Sequence, residues 1–295
     1  MTELLVLHIA KRAILAVSLD GSRVRTLVAD VDETPDGIVV DQARGHIYWT
    51  NMGTPDPETG RTFFTRNGSL ERVNLDGSDR RTIVPRGAFT TGKQLTADFD
   101  ARLLYWCDRE GMQVLRCRLD GSSLETLVVA GSGPDAQDPR HHCVGIAVDP
   151  VQQLVYWTQK GASDAGQGRI FRCRTDIPVG HTAAGRADIE LLWQDLPEPI
   201  DLDLDASGNL VWTDRGAEPN GNTLNRGRVQ PTVGTYDIVS RGYQEAIGLT
   251  TADDTTYYVS ELRTGGIRVV NLADGTDREL TQLGPGVTGV ALAEL

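Results

Sequence analysis

An aromatic doublet that recurs along the chain constrains its fold more than any other feature. Tyr48-Trp49-Thr50-Asn51, Tyr105-Trp106-Cys107-Asp108, Tyr156-Trp157-Thr158-Gln159, Val211-Trp212-Thr213-Asp214 and Tyr257-Tyr258-Val259-Ser260 read as copies of one motif. Their second aromatic positions lie 57, 51, 55 and 46 residues apart, and four of the five tryptophans sit in them. Repetition at this period is the mark of a fold built from stacked or radial units. The 32 Gly and 13 Pro call for many turns between short elements, which excludes a coiled coil.

Two further pieces share the period. Gly37-Ile38-Val39-Val40-Asp41, Gln94-Leu95-Thr96-Ala97-Asp98, Gly145-Ile146-Ala147-Val148-Asp149 and Asp201-Leu202-Asp203-Leu204-Asp205 precede the doublets and read as short buried strands. Asp20-Gly21-Ser22, Asp76-Gly77-Ser78, Asp120-Gly121-Ser122 and Asp274-Gly275-Thr276 lie between alternating runs such as Leu70-Glu71-Arg72-Val73-Asn74-Leu75. Asp-Gly in that setting predicts a hairpin with a tight primed turn.

Each unit is therefore expected to be a four-stranded antiparallel sheet. The fold class is all-β, a six-bladed β-propeller forming one domain over residues 1–295, with aromatic residues filling the wedges between blades. Five motifs are explicit and the sixth blade is split. Leu4 to Leu7 and the hairpin through Asp20-Gly21 supply its outer strands, and Val287 to Leu292 supplies its innermost, so the two ends of the chain close the ring and leave no open sheet edge.

These residues resemble the six-bladed YWTD propellers of the low-density lipoprotein receptor class (class B repeats), whose repeat reads Tyr-Trp-Thr-Asp followed by a Leu-Asp-Gly-Ser hairpin. The resemblance covers essentially the whole chain and is weakest in the fifth copy, where Tyr258 stands for Trp and Ser260 for Asp. It implies that the motif aspartate, here Asp108 and Asp214, is a structural ligand of backbone groups. Asn51 and Gln159 depart from that pattern, which implies a different junction in their blades. Receptor propellers of this class usually come with a cysteine-rich growth-factor-like module, and no such module is found here.

With 29 Lys+Arg against 41 Asp+Glu, the net charge of −12 repels a polyanion, so neither nucleic acid nor an anionic membrane is expected as a partner. The apolar stretch from Leu4 to Leu19 is broken by His8, Lys11 and Arg12 and is too short to span a bilayer. Met1-Thr2-Glu3 runs straight into strand-like residues, without the pattern of a secretory signal, and a cytoplasmic location is expected. Cys107, Cys117, Cys143 and Cys173 form no CxxC pair and read as free thiols.

In a propeller the loops leading into the innermost strands and the loops following the aromatic strands open on one face, around the central channel. Three of the latter, Asn51 to Arg66, Lys160 to Gly168 and Arg215 to Arg226, are long, and long loops on a rigid scaffold are where binding resides. The expected function is an enzyme, a hydrolase, lyase or isomerase, acting by acid/base chemistry on a small organic substrate. His142, Asp36, Lys93, Asp201 and Glu245 would carry proton transfer and charge stabilisation, with Lys93 as a partner for the Asp201 carboxylate. His141, Gln94, Arg109, Arg215, Glu198 and Asn51 would contact the substrate, the two arginines holding an anionic group. The same carboxylates with a histidine are a chemically adequate set for a divalent cation, although no spacing motif marks a metal site. No GxSxG elbow or phosphate loop is present. The alternative is a protein- or peptide-binding scaffold using the same face, with Phe63, Phe64 and Met52 as its apolar contacts. Phe63 and Phe64 lying flat on the exterior, together with a channel plugged by side chains, would favour the scaffold.

Overall fold

In a computed structural model describing residues 1–295, the strands form six four-stranded antiparallel sheets arranged as a propeller. The only helical pieces are two short 3-10 turns, Gly133–Gln137 and Pro139–His141. Blades 1 to 5 begin with innermost strands Pro35–Asp41, Gly92–Asp98, Cys143–Asp149, Pro199–Leu204 and Ala246–Thr251. In blade 6 the innermost strand Val287–Glu294 pairs with Thr2–His8, in the register Leu4↔Leu292 and Val6↔Val290. The ring therefore closes through both chain ends, as expected.

Adjacent residues of a strand point to opposite faces of its sheet, so each doublet serves two wedges at once. Tyr48 packs with Trp106 between blades 1 and 2, Tyr105 with Trp157 between blades 2 and 3, and Tyr156 with Trp212 between blades 3 and 4. The indole N–H of Trp49, Trp106, Trp157 and Trp212 finds no acceptor, so these rings contribute through packing and ring contacts rather than hydrogen bonds.

This packing corrects the fifth copy of the motif. Tyr258 faces the wedge with blade 6, as the motif tyrosines face forward, whereas Val259 faces back toward blade 4, as the tryptophans do. The copy is thus Tyr258-Val259-Ser260-Glu261, shifted by one residue from the doublet of tyrosines that the eye selects. A sixth copy, Leu5-Val6-Leu7-His8, lies in blade 6, where His8 pairs with Val287 as Asp108 pairs with Gly92.

The motif threonine is a latch between blades. Thr213 Oγ1 accepts the N–H of Asp201 in its own blade at 3.0 Å and donates to the carbonyl of Ile247 in the next at 2.8 Å. Thr50, Thr158 and Ser260 repeat both bonds, and Cys107 keeps only the second, through Sγ to Gly145 O at 3.3 Å. Leu7 has no hydroxyl, and the last junction is closed instead by Thr288 donating to Pro35 O at 2.9 Å.

The Asp-Gly hairpins differ from expectation in one respect. Gly21, Gly77, Gly121 and Gly275 take positive φ, but the aspartates do not. Asp20 accepts the N–H of Ser22, and Gly21 N bonds Ser18 O, which gives an ordinary turn followed by one left-handed glycine rather than a primed turn.

Candidate functional site

Most of the residues proposed from the sequence lie in or beside the loops that lead into the innermost strands or follow the second strands, whereas Asp201 and Gln94 line the channel interior. The second register position of the innermost strands holds Asp36, Lys93, Val144, Ile200, Ile247 and Thr288 in blades 1 to 6. Three of these form an apolar cluster, Val144, Ile200 and Ile247, with Leu262 packed on it. The other polar pair is closed on itself, since Lys93 Nζ donates to Asp36 Oδ1 at 2.6 Å with both side chains nearly inaccessible. Burial lowers the Lys93 ammonium from its ordinary range, while the Asp36 charge opposes that effect. Asp36, not Asp201, is thus the partner of Lys93, because the two occupy the same position in neighbouring blades.

Asp201 stands one position further along, where blades 1, 3, 5 and 6 carry Gly37, Gly145, Gly248 and Gly289. Those glycines are needed because neighbouring innermost backbones nearly touch: a Cβ on Gly145 would lie 1.9 Å from Ile200 O. Asp201 instead uses the close approach, its Oδ2 accepting Leu249 N at 2.8 Å and its Oδ1 accepting Leu202 N. Asp203 does the same to Thr251. Burial pushes both carboxyls up, Asp201 well above the usual range. They stitch blade 4 to blade 5, and with Gln94 they line a cavity of about 290 Å³ in the channel interior, among aliphatic residues such as Ile38, Leu95 and Leu202.

The remaining candidates sit around the mouth. His142 is buried, its Nε2 within 2.8 Å of Ala136 O, and burial lowers its imidazole from the ordinary value. His141 Nδ1 bonds Ala130 O. Glu198 takes two cations, Lys160 at 3.0 Å and Arg215 at 2.7 Å, and against the cost of burial Arg215 and Lys160 hold its carboxyl below the usual range. Arg109 pairs with Glu110 at 2.7 Å and lies over the Phe63 ring at 5.8 Å. Asn51 is buried, its amide donating to Ser69 Oγ at 3.0 Å. Glu245 is half-buried with φ +61°, and its backbone N–H bonds Asn222 Oδ1. Of the three apolar contacts expected for a scaffold, Phe63 is buried at 6% exposure and Met52 at 8%, while Phe64 is open at 38%.

The motif aspartates behave as the resemblance implies. Asp108 accepts Thr90 N, Thr91 N and Gly111 N, and Asp214 accepts Glu198 N and Gly216 N, so each carboxylate ties down the loop leading into its blade. Gln159 departs as expected, its side-chain oxygen accepting from Arg169. His8, which the sequence does not flag, occupies the same position in blade 6 and bonds Leu283 O. Lys160 was also missed as a ligand of Glu198, and its place directly after the third aromatic motif is the signal that would have found it.

No three His, Cys, Asp or Glu side chains come together as metal ligands. No helix is long and apolar enough to cross a membrane.

Six sheets, interblade latches and loop-tethering aspartates define a YWTD propeller. No family model matches the chain. It is 41% identical over 295 residues to low-density lipoprotein receptor-related protein 1 of Pyricularia oryzae, covering 95% of this chain and 91% of that protein. The chain belongs to the low-density lipoprotein receptor-related YWTD propeller family. It is also 40% identical over 297 residues to the 3-hydroxyacyl-CoA dehydrogenase-like protein LAM1 of Cochliobolus heterostrophus, of which it spans 60%. Protein cueball of Drosophila sechellia is 28% identical over about half of the chain. Among solved structures, one from the nidogen/laminin complex superposes with a TM-score of 0.75 at 20% identity, covering 100% of this chain and 99% of that one.

These relationships correct the expectation of a small-molecule enzyme. The family is one of receptor-related propellers, a cueball protein is 28% identical over half of the chain, and Asp36, Lys93 and His142, nominated for catalysis, are engaged in an ion pair and a backbone bond.

Proposed function

We propose that this chain is a protein-binding scaffold that engages its partner on the long-loop face. The observation that carries the proposal is the closed channel mouth within a receptor-related propeller: Lys93–Asp36 and Lys160–Glu198–Arg215 fill it with paired charges and Val144, Ile200 and Ile247 with apolar side chains. A mouth filled in this way offers a partner a contoured surface instead of a substrate pocket. The nidogen/laminin structure is a complex of two proteins, which supports the same use of the fold. Phe64, exposed on the first long loop, is an apolar contact for the partner.

A photo-crosslinking residue placed at Phe64 and, separately, at Val151 on the opposite face tests this. Partner adducts should form from position 64 and not from 151. Adducts of equal yield from both positions, or from 151 alone, would refute the assignment of the face.

A further inference from the structure

Behind the plugged mouth, the innermost strands line the channel in matched levels. Their third positions hold Gly37, Gln94, Gly145, Asp201, Gly248 and Gly289, so only blades 2 and 4 place a side chain there. Their fourth positions are aliphatic in every blade, and Ile38, Leu95, Ile146, Leu202, Leu249 and Val290 all line the cavity. At the fifth, Thr96, Asp203 and Thr250 are polar and line it too. Exposure grows along the strands: Gln94 and Asp201 are buried at 3% and 5%, whereas Thr96, Asp203 and Thr250 are partly open. The cavity is therefore a well, shut at the mouth and open on the face opposite the long loops. Its volume of about 290 Å³ falls just below that of pockets for drug-sized ligands, about 300–1,000 Å³, and suits a smaller molecule.

Two observations point to an occupant. Gln94 Nε2 is enclosed in the well and has no hydrogen-bond partner, although an amide nitrogen carries two donors. Asp201 and Asp203, the only charged residues lining the well, form no ion pair. Asp201 accepts from Leu202 N and Leu249 N, and Asp203 from Leu204 N, Thr251 N and the Thr251 hydroxyl. A carboxylate has about four acceptor sites, so both have capacity left. Burial holds both carboxyls above their usual range, with Asp203 and Asp36 adding to the effect on Asp201, and a cation in the well would oppose it. Asp36 is itself paired with Lys93, and Asp205, which acts on Asp203, with Arg226.

A donor and an acceptor at one buried level suit a hydroxyl, which accepts and donates at once. A full positive charge is better placed at the outer level, where Asp203 is partly open and desolvation costs less. Two residues of strand separate these levels by about 6.6 Å, the reach of about four methylene groups, and the wall between them is aliphatic. We propose that the well binds a short aliphatic amino alcohol, its hydroxyl at the level of Gln94 and Asp201, its methylene chain within the aliphatic ring and its ammonium on Asp203. This site lies at the other end of the channel from the face assigned to a partner protein and is independent of that assignment.

Calorimetric titration of the full chain with aminobutanol, butylamine and butanediol, each carrying its polar groups at the chain ends, tests the proposal. Aminobutanol should bind one per chain. Butylamine, which lacks the hydroxyl, and butanediol, which lacks the charge, should each bind at least about tenfold more weakly. D203N should weaken aminobutanol comparably, and Q94L should erase its advantage over butylamine. T250K, which sets the chain's own ammonium in the open end of the well, should abolish binding. Should these variants fail to fold, the ligand series on the unmodified chain decides. Equal affinity for butanediol and aminobutanol, binding of calcium or magnesium that displaces aminobutanol at lower concentration, or no saturable binding at millimolar concentration overturns the proposal. None of these outcomes bears on the crosslinking test of the long-loop face.

Discussion

Lys93 Nζ lies 2.6 Å from Asp36 Oδ1, a bond between two adjacent blades that closes the polar side of the channel mouth. Both side chains are almost fully buried, and Asp36 Oδ2 has no further partner. The pair therefore depends on itself. Lys93→Met strands a buried carboxylate and should destabilise the fold by about 3–5 kcal/mol, whereas D36N/K93M removes both charges and should recover more than half of that loss. Urea unfolding of the three chains measures this, and equal losses in the single and double variants would contradict it.

Cys107 is the weak member of the latch ring. Its thiol makes only the bond to Gly145 O, where a threonine in blades 1, 3 and 4 also accepts an N–H from its own innermost strand. Cys107→Thr should add these bonds in a site whose shape already suits a β-branched residue elsewhere in the ring, raising stability by about 1 kcal/mol. Thr213→Val does the converse, leaving Asp201 N and Ile247 O without their side-chain partner, at a cost of about 1–3 kcal/mol. Opposite shifts in thermal midpoint are the expected outcome.

Asp214 links stability to pH. Burial pushes its carboxyl up to about 7, although the N–H groups of Gly216 and Glu198 that it accepts work the other way. A carboxyl whose folded value is raised binds its proton more tightly in the folded state, so its contribution is complete at low pH and is lost as pH climbs from about 4 through about 7. Asp214→Asn should lower stability overall and flatten the slope across that window. Parallel pH profiles for the two chains would rule this out.

Gly145 marks the closest approach of two blades. An added methyl at 1.9 Å from Ile200 O forces backbone apart, with no flexible side chain to yield, and Gly145→Ala should cost at least about 3 kcal/mol. Gly185→Ala, whose new carbon would meet only Thr182 Oγ1 at 3.4 Å, is the matched control and should be near neutral. Comparable losses at both sites would refute the packing argument.

The fifth copy of the motif illustrates how far repetition can be read along the chain. Two adjacent tyrosines, 257 and 258, draw the eye to the wrong register, because an aromatic doublet is conspicuous in sequence while the face each residue serves is not. The structure selects Tyr258-Val259 by which wedge each side chain enters, and a valine then fills a tryptophan's place. His8 escaped notice for the same reason, since nothing aromatic precedes it. Asp201 stands in sequence where the matching pieces carry Gly37, Gln94 and Gly145, but that difference alone does not say that it faces Leu249 N rather than a substrate.

Period, turn residues and aromatic spacing were local properties, and from them the sequence alone determined six four-stranded blades, their order, and a ring closed by the first and last strands. Which charges meet across the axis was decided only by the tertiary structure. Lys93 finds Asp36 and Lys160 finds Glu198 across blade boundaries, from positions 57 and 38 residues apart, while Arg215 reaches Glu198 within blade 4 from 17 residues away. Pairing in a buried ring depends on the twist and approach of neighbouring blades, which no linear spacing encodes, and that pairing turned an expected catalytic cluster into a plugged mouth.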